Sequence, residues 1–96
     1  MEPLTAQELS DVLAALPAWD GTSSGLHREY RFANFREAVS FIVRLGFEAE
    51  QRGHHPELTN VYNRVGVTFR THDAGNLVTA MDVEMARAAD GAAGLD

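Results

Sequence analysis

The residues best suited to chemistry are gathered in Glu50-Gln51-Arg52-Gly53-His54-His55-Pro56, with a further histidine, His72, in the element that follows. An imidazole changes charge near neutrality, so histidines held in place can both give and take protons at physiological pH. Gly53 stands where a left-handed glycine would close a helix, and Pro56 stands where the chain can no longer be helical. His55 precedes the proline, which pushes its backbone toward extended geometry. Glu50 lies one turn before His54, on nearly the same face if the helical geometry persists. Three readings are open on these residues: a proton-transfer site, exposed histidines beside a solvated carboxylate, and a metal site. The metal reading lacks a His-x-x-x-His or cysteine pairing, and adjacent histidines in an extended chain point apart.

Composition sets the bounds on what such a site can belong to. The chain has 96 residues, 45% of them hydrophobic, which suits one small domain with a packed core. It contains no cysteine, so disulfide and thiolate chemistry are excluded and a reducing cytoplasm is expected. A formal charge of −6 argues against a nucleic-acid surface, which needs a basic patch. No apolar run approaches the length of a membrane span, and Met-Glu-Pro-Leu-Thr lacks the start of a signal peptide. The expectation is a soluble cytoplasmic domain over residues 1–96, with 91–96 a flexible tail.

The elements that must position the histidines can be read from caps and periodicity. Thr5 with Glu8 forms a capping box, and Leu9, Val12, Leu13 and Leu16 continue at helical spacing to a stop near Pro17. Trp19 is read as a core anchor. The segment Asp20–Gly25 suggests a hairpin turn between a short strand around Trp19 and a strand from Leu26 to Phe32. In that strand Leu26, Tyr30 and Phe32 alternate with His27, Glu29 and Arg31, and Arg28 breaks the apolar set. His27 is read as solvent-facing and unconnected to the other histidines.

Asn34 with Glu37 caps the longest helix, which runs to about Arg52. Phe35, Ala38, Val39, Ile42, Leu45, Gly46 and Ala49 are read as its core-facing stripe, with Phe41 and Phe47 off it. Gly46 suggests close approach of a neighbour. Leu58–Tyr62 and Val65–Thr71 read as two strands joined tightly at Asn63-Arg64, and Asp73–Asn76 as a turn. Thr79 with Asp82 starts a last, weakly amphipathic helix. The order α-β-β-α-β-β-α predicts an α+β fold: a four-stranded antiparallel sheet with three helices on one face. Its open face and edges predict a homodimer or homotetramer.

At the level of motifs, Glu50-x-x-x-His54-His55-Pro56 followed by Tyr62-Asn63-x-Val65-x-Val67-x-Phe69-x-Thr71-His72 resembles the signature of the pterin-4a-carbinolamine dehydratases. Leu16-Pro17-x-Trp19 and Tyr30-x-Phe32-x-x-Phe35-x-x-Ala38 are similar to the same family upstream. The resemblance spans about Leu4 to Ala89. It implies dehydration of 4a-hydroxytetrahydropterin to quinonoid dihydropterin without metal or organic cofactor, in the recycling of the pterin used by aromatic amino acid hydroxylases. Carried over by position, His54, His55 and His72 are the catalytic candidates. Pro56, Thr71 and Asp73 would lie along the pterin, with Glu50 orienting His54 and Asp82 as a further binding candidate.

Three positions depart from the family pattern. Leu58 stands where some relatives carry a tryptophan over the pterin, Gly53 replaces a polar residue, and Gly75-Asn76-Leu77-Val78 shifts the last cap by one residue. Two other readings compete with the enzyme. One is a non-catalytic pterin-binding or dimerisation cofactor module of the same fold, and the other is action on a different pterin. Intact His54, His55 and His72 favour the dehydratase.

Overall fold

The computed structural model describes residues 1–95. Asp96 lies outside the described residues. The elements are α1 (Ala6–Ala15), β1 (Asp20–Thr22), β2 (Gly25–Arg31), α2 (Phe35–Arg52), β3 (Glu57–Val61), β4 (Arg64–Phe69), a 3-10 turn (His72–Ala74) and α3 (Ala80–Ala92). The strands form one four-stranded antiparallel sheet, as predicted, and their order in it is β1-β2-β4-β3. None of the described helices is long and apolar enough to cross a membrane.

Each helix begins where its capping residue predicts. Thr5 and Glu8 exchange both bonds of a capping box, Asn34 Oδ1 accepts the Glu37 N–H, and Thr79 and Asp82 form a second complete box. Gly53 closes α2 at φ 64°, a conformation that costs a residue with a Cβ. The N–H groups of Gly53 and His54 turn back to the carbonyls of Glu50 and Ala49, at 3.2 and 3.1 Å. This closure fixes the direction in which His54 leaves the helix.

Alternate residues of the two central strands supply the sheet side of the core. Leu26, Tyr30, Val65, Val67 and Phe69 are buried there, beneath Phe41 and Leu45 of α2 and Met85 of α3. The stripe of α2 is rotated from the one periodicity suggests. Its buried residues are Ala38, Phe41, Leu45 and Ala49, whereas Phe35, Val39 and Phe47 are exposed. Phe41 packs between the rings of Tyr30 and Phe32, with centroids 4.6 and 5.1 Å away. Gly46 faces open space: a Cβ there would meet nothing within 4 Å. Helix α2 carries two apolar faces, and only contact with the aromatic pair on the sheet selects between them.

Two further details differ from the sequence reading. The β3–β4 turn is Tyr62-Asn63, with Val61 paired to Arg64 and Tyr62 rather than Asn63 left-handed. Asn63 is instead committed to β2, its side chain donating to the Phe32 carbonyl at 2.9 Å. At the far end, α3 takes in Gly91 and Ala92, where a flexible tail is expected. Gly94 adopts φ 81° and the Leu95 N–H returns to the Asp90 carbonyl at 2.8 Å, a left-handed cap.

Arg28, the break in the β2 alternation, has a partner that explains it. On the core side of the sheet its guanidinium reaches Asp90 of α3 at 2.9 Å and lies 4.5 Å from the Tyr30 ring centre. Asp90 also accepts from the Tyr30 hydroxyl at 2.5 Å and from the indole of buried Trp19 at 3.2 Å. Burial, then the bond to Asp90, pushes the Tyr30 phenol well above its ordinary 10.0. Between pH 10 and that raised value, the unfolded chain loses a proton that the folded chain keeps. Stability should therefore fall as pH rises above about 10, and Tyr30→Phe should flatten this alkaline slope. Urea titrations of both proteins at a series of alkaline pH values measure it; parallel slopes would contradict the assignment.

Candidate active site

The end of α2 and the start of α3 meet through one buried polar cluster. His54, 8% exposed, has its ring 6.3 Å from that of Phe69 and nearly parallel to it. Its Nε2 lies 2.5 Å from Oδ1 of Asp82, a carboxylate with no solvent exposure. The other oxygen, Oδ2, accepts from the Thr71 hydroxyl at 2.7 Å and from the Thr79 N–H at 2.8 Å. Thr71 and Thr79 hydroxyls are themselves 2.7 Å apart. Asp82 thus completes the α3 capping box with one oxygen and holds an imidazole with the other.

This arrangement fixes which histidine nitrogen is available. A carboxylate only accepts hydrogen bonds, so Nε2 of His54 carries the hydrogen that faces Asp82. In the neutral ring Nδ1 is then the proton acceptor. A buried carboxylate in this position also stabilises the imidazolium formed when Nδ1 takes a proton.

The two other candidate histidines are exposed. His55 points away from His54, as adjacent side chains in extended chain do, and its Nε2 lies 3.0 Å from Glu50 Oε1. Glu50 therefore partners His55, not His54 as helical spacing suggests, because the left-handed turn at Gly53 swings His54 inward. Both Glu50 and His55 are exposed, at 81% and 66% of their side chains, so water screens the pair. His72 is exposed at the start of the 3-10 turn, with Nδ1 3.2 Å from Asn76 Oδ1. A bridge between Thr71 and Leu77 closes the loop that carries it.

The remaining expected site residues fall in two groups. Pro56 is half-buried and Asp73 exposed. Thr71 and Asp82 are buried, and Asp82 is hydrogen-bonded both to Thr71 and to His54. His27 lies apart on the open sheet face, with Nδ1 2.8 Å from the Thr68 hydroxyl. Thr79 was not singled out as a site residue from sequence; its one signal is its place as the cap preceding Asp82. Among the described residues, no three His, Cys, Asp or Glu side chains are grouped to hold a metal ion.

A cavity of about 680 Å³ lies elsewhere, between the C-terminal ends of α1 and α3 beside Trp19, Arg28 and Asp90. At the histidine corner His54 is buried, whereas His55 and His72 are exposed. The carboxylate of Asp90 in that cavity is already engaged with Trp19, Arg28 and Tyr30, whereas the corner holds three of the four histidines.

Known proteins resemble this chain over most of its length. The sequence profile of the pterin 4 alpha carbinolamine dehydratase family matches residues 2–92. The chain belongs to that family. It is 54% identical over 84 residues to a protein of Opitutus terrae provisionally named a pterin-4-alpha-carbinolamine dehydratase, an overlap covering 88% of this chain and 87% of the relative. A relative of the same provisional name from Burkholderia cenocepacia is 47% identical, over 94% of this chain and 89% of its own length. Among solved structures, a transcriptional coactivator/pterin dehydratase from Brucella melitensis superposes with a TM-score of 0.88 at 39% identity, covering 95% of this chain and 98% of that one. A pterin dehydratase-like RuBisCO assembly factor of the alpha-carboxysome shares the fold, with a TM-score of 0.68 at 19% identity over 81% of this chain and 89% of its own. Within this family frame, the Asp82–His54 pair ties the shifted cap at Thr79 to the histidine motif despite the altered loop before it.

Proposed function

We propose that the protein dehydrates 4a-hydroxytetrahydropterin to quinonoid dihydropterin at the corner formed by His54, His55 and His72. The observation that carries this reading is the buried Asp82 carboxylate, which turns His54 into an oriented proton acceptor. Loss of the 4a-hydroxyl needs a proton delivered to a poor leaving group while the N5 proton is removed. The N5 electron pair then forms the new double bond as water departs. His54 takes the N5 proton through Nδ1, with Asp82 stabilising the resulting imidazolium. His55, paired with Glu50, protonates the departing hydroxyl, and His72 hydrogen-bonds the ring. Exchange with solvent returns the proton from His54 and recharges His55, so no oxidant or cofactor enters the balance.

Well-placed general acids and bases each contribute about 10²–10⁴-fold. Rapid-mixing generation of a 4a-hydroxytetrahydropterin, followed by its ultraviolet decay, tests the activity. The protein should accelerate decay well beyond buffer, and equal rates with and without folded protein would overturn the reading. In the cell the reaction would serve recycling of the pterin used by aromatic amino acid hydroxylases. Absence of cysteine fits a reducing compartment, and the cytoplasm is the location we propose.

Association of identical copies is part of the same proposal. Phe35, Val39, Val43 and Phe47 recur every four residues along the outer face of α2 and are 50, 37, 49 and 70% exposed. A continuous apolar stripe of this kind is what helix-to-helix association buries. Gly46 beside it leaves room for a partner helix to approach. Light scattering should give a homodimer or homotetramer for the native chain and a smaller species for Phe47→Glu. A native monomer at micromolar concentration would contradict it.

A further inference from the structure

We propose that Thr79 and Thr71 are positioning residues for His54, their two hydroxyls forming a one-way chain that locks Asp82 and, through it, the imidazole tautomer. The inference deepens the dehydratase reading and, where it concerns rate, rests on it.

The direction of every hydrogen in the chain follows from its end. Asp82 Oδ2 can only accept, so Thr71 spends its single hydroxyl hydrogen on it, across 2.7 Å. The 2.7 Å contact between the two hydroxyls then requires Thr79 to donate and Thr71 to accept. Thr79 Oγ1 is free to donate because it accepts the Met81 N–H, at 3.2 Å. The Thr79 N–H supplies the second donor to Oδ2 at 2.8 Å. With Oδ2 so occupied, the plane of the carboxylate is set and Oδ1 is aimed at His54 Nε2.

A helix cap alone does not need this arrangement. The capping box of α3 is complete with Thr79 and Asp82, whereas Thr71 comes from the other side, beyond β4. Its hydroxyl joins the start of α3 to the segment that carries His72. Thr71, Thr79 and Asp82 are 6, 0 and 0% exposed, so water does not compete for these bonds. Rotation of Asp82 would strand donors without a partner, which makes the His54 orientation stiff.

The test compares Thr71→Val with Thr71→Ser, and Thr79→Ala with Thr79→Ser, by two independent readouts. The first is the nitrogen-15 spectrum of the His54 ring, which distinguishes Nε2–H from Nδ1–H without any substrate. Native protein and both serine variants should show the Nε2–H form alone, and Thr71→Val a mixture of the two tautomers. The second is kcat for dehydration, expected to fall about 10–100-fold in Thr71→Val, the worth of one hydrogen bond to a charged group, and to recover in Thr71→Ser. Thr79→Ala removes only the outer hydroxyl and should give a smaller change of the same kind; it carries the test if Thr71→Val does not fold. A His54 spectrum unchanged in folded Thr71→Val or, failing that, Thr79→Ala would overturn the inference. A native protein without dehydratase activity but with the expected spectra would instead sink the functional reading and leave the positioning intact.

Discussion

Asp82→Asn should leave a folded protein that has lost about 10³–10⁴-fold in dehydration rate, the scale seen when the carboxylate behind a catalytic histidine is made an amide. The amide oxygen can replace Oδ2 toward the Thr71 hydroxyl and the Thr79 N–H. Its NH2 group must then face Nε2 of His54, which can accept only by moving the ring hydrogen to Nδ1. The nitrogen meant to take the N5 proton would already carry one. Asp82→Ala is the harsher change: it strands the Thr71 hydroxyl, the Thr79 N–H and the His54 N–H in a fully buried place. Each buried donor left unsatisfied costs about 1–3 kcal/mol, so together they take a large part of the roughly 5–15 kcal/mol that holds a small domain together. The two variants therefore separate chemistry from stability. Thermal unfolding and steady-state rates for both would show it, and an Asp82→Asn enzyme of native rate would refute the role given to His54.

His54→Ala is the second large effect expected, a loss of about 10²–10⁴-fold in rate. It should also destabilise the fold, since it empties the space beside Phe69 and leaves Asp82 Oδ1 without its partner. His55→Ala and His72→Ala should lower the rate while changing stability by no more than about 0.5 kcal/mol, because both residues are exposed. Melting curves read beside rates decide this. If all three substitutions destabilised equally, His54 would have no special place in the site.

What the sequence makes legible here is what local chemistry dictates. Thr5, Asn34 and Thr79 announce their helices because a cap needs only residues three apart, and Gly53 announces the turn that releases His54. The antiparallel sheet follows from two hairpins flanking one long helix, whereas the pairing of β2 with β4 at its centre is set by the tertiary fold. The rotation of α2 is not legible in the same way. Phe35, Val39 and Phe47 are as apolar as Phe41 and Leu45, and only the Tyr30 and Phe32 rings across the core decide which set is buried.

Long-range polar partners escape sequence reading for a similar reason. Helical spacing puts Glu50 beside His54, but the left-handed Gly53 turns His54 toward a carboxylate 28 positions later and leaves Glu50 to His55. Arg28 looks like a fault in a strand until Asp90 is found facing it from α3. The candidate histidines were therefore visible as types and spacing. The device that orients one of them, Asp82 backed by Thr71 and Thr79, depends on how α3 docks against the end of α2.

Whether three imidazoles serve one ligand can be measured without turnover. The nitrogen-15 and ring-proton resonances of the four histidines would be followed while a stable dihydropterin is added. The account predicts saturable shifts of His54, His55 and His72 along one binding curve, with His27, on the open sheet face, unmoved. Shifts confined to one of the three rings, or shared with His27, would contradict it.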